Sequence, residues 1–253
     1  MVSCCANLYE LPITHLLFGE FFHPGGAQLT RQVARAALLG PGDRVLDVAS
    51  GRGASAQYFA EHNGCQLTTL DLSRPNLATN RHPRMQAVQG DACTLPFATR
   101  AFDAVICECS LCLCRHPAAA LTQMAQVVKP GGHIVLTDLY INGAVPDAFD
   151  SPLGEALCIR KALSQTQYSQ LLHNAIPNTW RYRDVSWALT ELLERVRTRL
   201  RRLRENGRWV FDLPTGVEHA AAVISAAESL LATGGAGYGM WMMRQEQALG
   251  PAG

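Results

Sequence analysis

The sequence predicts an α/β protein built on a doubly wound, mostly parallel sheet, and three observations carry that expectation. Short apolar runs of strand length alternate with stretches of helical periodicity. The segments joining them are short. The third observation is Arg44 to Gly53, RVLDVASGRG, which reads as a buried strand, a turn of small residues (Ala49 to Gly53) and a helix start at Ala54. In such a unit glycine lets the backbone approach a ligand, and the unpaired N–H groups of the helix start supply donors. Ligands of this architecture lie at the carboxyl ends of the strands.

The elements follow in order. Residues 1–26 mix apolar and small residues and end in His23-Pro24-Gly25-Gly26, the pattern of a helical segment closed by a turn. It is expected either to lid the open face or simply to pack there. Gln28 to Leu39 has helical spacing and stops at Gly40-Pro41-Gly42-Asp43. After the glycine turn and its helix come strands at Gln66 to Leu70, Met85 to Val88, Phe102 to Cys107, and a fifth that follows Val127-Val128-Lys129-Pro130-Gly131-Gly132. Ser164 to Asn174 reads as a helix and Trp180 to Val185 as a sixth strand. Ser186 to Glu205 and Val217 to Leu231 read as helices, and Tyr238 to Arg244 as a seventh strand, antiparallel to the sixth. The expectation is a seven-stranded sheet with only its last strand antiparallel. It carries an N-terminal helical lid over residues 1–40, a main domain over 41–253 and a helical insertion at about 186–231.

Composition narrows the function. The 253 residues are 48% hydrophobic and 17% charged, with a net charge of +1, so no nucleic-acid partner is expected from charge. No apolar run reaches membrane-spanning length, and the N-terminus lacks a secretory pattern. The nine cysteines are bunched and odd in number, which suits free thiols in a cytoplasmic setting rather than a disulfide framework. The arginines of 187–206 fit a solvated helix face, with Glu191 and Arg195 spaced for an i,i+4 pair; RNA or an acidic partner is the sharper alternative.

Two ligands compete for the glycine turn. A dinucleotide site wants G-x-G-x-x-G, and Ala49, Gly51 and Ala54 match it only in degenerate form. Asp47 to Gly53 instead resembles D/E-x-G-x-G-x-G, the S-adenosylmethionine (SAM) fingerprint of class I methyltransferases. Asp71 follows Gly51 by 20 residues at the next strand end, where a carboxylate accepts ribose hydroxyls in either case; its alternative role is to cap the following helix, which Ser73 can also do. The resemblance then widens. VLDVASGRG, LDLS, QGDA, LPF, FDAVI and VVKPGGHIVLTDLY occur in the order and spacing of class I SAM-dependent methyltransferases across residues 42 to 140. It implies a Rossmann-like fold and SAM as cofactor. It implies Asp47, Ala49, Ser50, Gly51 and Gly53 around the methionine end and Asp71 and Leu72 at the ribose. Asp91 would meet the adenine amino group and the Ala92 amide the ring, with Cys107 a further cofactor-binding residue.

A second resemblance concerns the acceptor. Cys107-Glu108-Cys109-Ser110-Leu111-Cys112-Leu113-Cys114 follows the fourth strand, and four thiols so close in sequence cannot easily surround one zinc ion. Residues 105–113 resemble the V-I-S-N-C-V-I-N-L segment of arsenite methyltransferases, and residues 150–163 resemble a second segment of that family. Cys109 and Cys158 then stand as the two thiols that hold a trivalent metalloid, in catalytic and ligand roles together. The cysteine that family carries just after the glycine turn is missing here. The alternative is C-, O- or N-methylation of an organic molecule of quinone, sterol or natural-product type, which needs a base. His23, Glu108, His116, Asp138 and Tyr140 are the candidates near the methyl. A non-catalytic SAM- or thiol-metal-binding protein and a homodimer contact by the insertion complete the set.

Overall fold

The computed structural model describes residues 18–150, 159, 162–205 and 216–246. Seven strands form one sheet in the order β3-β2-β1-β4-β5-β7-β6. They are β1 (Arg44–Val48), β2 (Gln66–Asp71), β3 (Met85–Gln89), β4 (Phe102–Glu108), β5 (Val128–Ile141), β6 (Arg181–Asp184) and β7 (Ala236–Arg244). The first five strands pair in parallel. β7 runs antiparallel to both β5 and β6, so the expected pairing of the last two strands holds. The KPGG turn expected before the fifth strand lies inside β5, and the register slips between Phe102 and Ala104 to absorb it.

The helices are α1 (Gly26–Ala36), α2 (Ala54–His62), α3 (Arg74–Leu77), α4 (Pro117–Val127), α5 (Gln165–Ala175), α6 (Trp187–Glu205) and α7 (Gly216–Ala232). Their starts are written in local chemistry. Ser73 accepts from the Asn76 N–H with Pro75 in the first turn of α3. Ser164 and Gln167 form a reciprocal capping box on α5. Pro117 opens α4 directly after His116.

Strand alternation splits the core between the two faces. Leu46, Val48, Val105, Cys107, Ile134 and Leu136 pack with Leu121 and Met124 of α4 and Tyr168 and Leu172 of α5. Val45, Ala104, Ile106, Val135, Tyr238 and Met240 face Leu29 and Val33 of α1 and Phe59 of α2. Trp241 and Met243 are core residues, and Trp241 stacks on Tyr168 at 4.7 Å between ring centroids. The expected insertion is an α6–α7 pair with its own apolar seam of Leu192, Val196, Leu200, Ala220 and Ile224. The Glu191–Arg195 pair is present at 3.9 Å. Among the described residues, no helix is long and apolar enough to cross a membrane.

A side chain at Gly237 would collide with the Tyr140 hydroxyl and the Ser186 Oγ. Both of those hydroxyls donate to the Asp184 carboxylate, at 3.1 and 3.0 Å. Gly237→Ala is therefore expected to destabilise the β5–β7–β6 edge by about 1–3 kcal/mol, which urea denaturation measures.

Candidate active site

The carboxyl ends of β1, β2 and β4 place three acids side by side: Asp47, Asp71 and Glu108. The turn after β1 is left-handed at Ala49 (φ +55°), Gly51 (φ +53°) and Gly53 (φ +78°). For alanine that conformation is strained by about 1–2 kcal/mol, and such strain is typical of functional turns. Asp71 holds the turn from the next strand. Its Oδ2 accepts the Gly51 N–H and its Oδ1 the Ser73 N–H, both at 2.8 Å. Ser73, not Asp71, caps the helix that follows, so the capping alternative for Asp71 drops away.

The cradle beside this turn is open and polar. Among the described residues, a Cβ at Gly51 would find only Phe22 within 4 Å, at 3.5 Å. A Cβ at Gly53 would lie 2.5 Å from the Asn80 Oδ1, so Asn80 occupies the space that glycine leaves. Asn80 is fixed by donating to the Thr69 Oγ1 at 3.1 Å, and its Oδ1 is buried without a hydrogen bond. Asp47 Oδ2 and Ser50 Oγ are likewise buried and unbonded. Burial, then the charges of Glu108 and Asp71, push the Asp47 carboxyl well above the usual carboxylate range. Unsatisfied oxygens and crowded negative charge beside a glycine turn suit a cationic ligand with hydrogen-bond donors. The ammonium, sulfonium and ribose hydroxyls of SAM supply those features.

The remaining expected cofactor residues line the same edge. The Asp91 Oδ1 accepts the Cys93 N–H at 2.8 Å. Ala92 and Cys107 are buried, while Leu72 is exposed.

The thiols disperse. Cys107 packs on the α4–α5 face, where burial raises its pKa well above the usual thiol value. Cys114 is pushed up to about 12, also by burial. Cys109 packs against the opposite face and hydrogen-bonds the buried Tyr238 hydroxyl, which also contacts the Thr137 Oγ1 at 3.0 Å. Its backbone is left-handed at φ +53°. Cys112 bonds Asp138. Among the described residues no three His, Cys, Asp or Glu side chains could hold a metal ion. Cys158 lies outside the described residues.

Of the candidate bases, His116 is exposed at the α4 start. Tyr140 bonds Asp184. Asp138 is buried and accepts from Tyr168 at 2.7 Å, Cys112 N–H at 2.9 Å and Leu139 N–H at 2.9 Å. His23 and Glu108, 85 positions apart, are brought to 3.6 Å. A cleft of about 350 Å³ runs between residues 18–28 and α6, with Phe18, Phe21, Gln28, Glu191, Arg195 and Arg199 in its walls.

The reading missed Asn80, Thr30 and Ser55. All three reach the site through tertiary packing, and no motif marks them. Ser55 was visible as the second residue of the helix after the turn, a position whose side chain can face back across the strand ends.

This strand order, with its antiparallel seventh strand and glycine cradle, has known counterparts. Residues 46–136 match the family model of the methyltransferase domain. The chain belongs to the class I SAM-dependent methyltransferases. Demethylmenaquinone methyltransferase of Mycobacterium marinum is 33% identical over 182 residues, which covers 72% of this chain and 68% of that protein. The enzyme of the same name from Renibacterium salmoninarum is 40% identical over 110 residues, 43% of this chain and 46% of that one. Among solved structures, Haemonchus contortus phosphoethanolamine N-methyltransferase 2 with SAM superposes at a TM-score of 0.77 and 18% identity, covering 96% of this chain and 57% of that one. The [4+2]-cyclase SpnF superposes at 0.72 and 22% identity, with 97% of each chain covered. Likenesses at that identity speak for the fold.

The raised pKa of Asp47 carries a sign. An acid that holds its proton more tightly when folded contributes stability below its unfolded pKa, about 3.9, and loses it as pH rises through the folded value. Ligand-free Asp47→Asn is therefore expected to be more stable than wild type at pH 7, with the gap closing below about pH 4. Urea denaturation at pH 3.5 and 7 checks this. At pH 7 the same variant is expected to bind SAM more weakly in calorimetry.

Proposed function

We propose that the chain transfers the methyl group of SAM to a small organic acceptor carrying an acidic hydroxyl, of the hydroxyarene or quinol type. The observation that carries this reading is the pairing of dispersed, locally bonded thiols with an unbonded carboxylate, Glu108, at the acceptor end of the strand edge. The naming of several relatives as demethylmenaquinone methyltransferases supports the same acceptor class. Asp47, Ala49, Ser50, Gly51 and Gly53 take the methionine end of the cofactor, Asp71 the ribose, and Asp91 and Ala92 the adenine, with Leu72 and Cys107 as further cofactor contacts. Residues 1–40 serve as a lid, and within them the Phe22 ring lies 3.5 Å from where a Cβ at Gly51 would stand. A cytoplasmic location belongs to the same reading.

The narrower reading, a thiol-held trivalent metalloid such as arsenite, draws on the strained Cys109 at the end of β4, with Cys158 as its second ligand. The two are separated by incubating the reduced protein with SAM and either demethylmenaquinol or arsenite, then analysing products by mass spectrometry. Methylated naphthoquinone supports the first reading. Methylated arsenic that disappears in Cys109→Ser and Cys158→Ser would replace it with the second.

A further inference from the structure

Glu108 ends β4 and is buried, yet neither carboxylate oxygen has a hydrogen bond. Leaving a buried carboxylate without donors costs several kcal/mol. Asp138, buried at the neighbouring position on β5, shows how this fold satisfies an acid kept only for structure: three donors converge on it. Among the described residues, the charged group that approaches Glu108 is His23, its Nε2 3.6 Å from Oε1. The His23 Nδ1 lies 2.8 Å from the Pro24 carbonyl oxygen and must donate to it. That bond turns Nε2 toward Ser55 Oγ at 3.0 Å, Thr30 Oγ1 at 3.2 Å and Glu108. The ring is therefore locked from three elements: the segment before α1, α1 itself and the start of α2.

The order of the acids along the sheet gives Glu108 its place. Asp71 on β2 stands at the ribose and Asp47 on β1 at the methionine end; β4 is the next strand beyond. A ligand laid from β2 to β1 directs its reacting end toward β4. Resting on the acceptor class proposed above, we propose that Glu108 is the catalytic base that takes the acceptor's proton, and that His23 is its positioning residue. The bound cofactor supplies an electrophilic methyl, to which the acceptor's electron pair bonds while the sulfur–methyl bond breaks and leaves its electrons on sulfur. Glu108 removes the hydroxyl proton, so the electron pair left behind reaches the methyl through oxygen or through the conjugated ring carbon. In the ring-carbon case the displaced ring proton restores the hydroxyl, and one proton is released in either case.

The test measures SAM affinity by calorimetry and steady-state turnover of demethylmenaquinol and catechol for wild type, Glu108→Gln, Glu108→Asp, His23→Gln and His23→Leu. Glu108→Gln is expected to lower kcat by about 10²- to 10⁴-fold, with SAM affinity and acceptor KM within about threefold. Glu108→Asp recovers at least tenfold of that loss, a rescue a purely structural carboxylate would not give, and it carries the test if the Gln variant does not fold. His23→Leu lowers kcat by roughly tenfold and His23→Gln by less. Wild-type turnover that survives in Glu108→Gln overturns the base alone. So does a tenfold or greater loss of SAM affinity in that variant, which would make Glu108 a cofactor ligand. A wild type inactive on both probes overturns the acceptor class, and the base with it.

Discussion

Asp71→Ala is expected to weaken SAM binding by about 10²- to 10⁴-fold. In the ribose role proposed for it, the carboxylate receives two hydroxyl donors, and a hydrogen bond to a charged group contributes about 1.5–3 kcal/mol. The same oxygens accept the Gly51 and Ser73 N–H groups, so the variant also loosens the left-handed turn the cofactor must meet. Asp71→Asn separates the two effects. Its carbonyl oxygen keeps one backbone bond, and it should recover part of the affinity. Calorimetry with SAM and S-adenosylhomocysteine reads the loss. Equal losses for both ligands are required, because the ribose is common to them. A loss confined to SAM would move Asp71 to the charged end of the cofactor.

Asp138→Ala is expected to cost about 2–5 kcal/mol of folding stability. The change strands the buried Tyr168 hydroxyl and the half-buried Cys112 N–H, at about 1–3 kcal/mol each. Tyr168 in turn stacks on Trp241, so the disturbance reaches the centre of the sheet. The pH dependence has a definite sign. Burial raises the Asp138 pKa, against the lowering effect of its donors. Its stability contribution is thus fullest below the unfolded value, near pH 3.9, and declines as pH rises through the folded one. The penalty of Asp138→Ala should therefore be larger at pH 4 than at pH 8 in urea denaturation. A penalty that grows with pH would mean the donors outweigh burial.

The fold was legible because its signals are local. The strand runs, the glycine turn and the Ser-capped helices each declare themselves within a dozen residues. The turn after Lys129 was misplaced because a register slip in β5 lets a turn-like sequence stay paired, and pairing is decided by the neighbouring strand. The placement of the candidate cofactor residues was legible for the same reason as the fold: Asp47, Gly51 and Asp71 sit at or just past strand ends fixed by spacing. Sequence proximity put four sulfurs together, whereas the turn out of β4 sends Cys107 and Cys109 to opposite faces. The His23–Glu108 approach could be named only as two separate candidates, because nothing in a chain segment reports a neighbour 85 positions away.

The placement of β7 between β5 and β6 has a consequence for how the protein is made. β5 leaves the ribosome with one long edge bare, and its partner is not synthesised until residues 142–235 have passed. At 5–20 residues per second that interval is roughly 5–20 s. β6 emerges within it, before the strand that will flank it exists. Throughout this window the nascent chain offers an open apolar strand to any other chain nearby. The hazard ends only when β7, the last of the seven strands to be made, slots between β5 and β6.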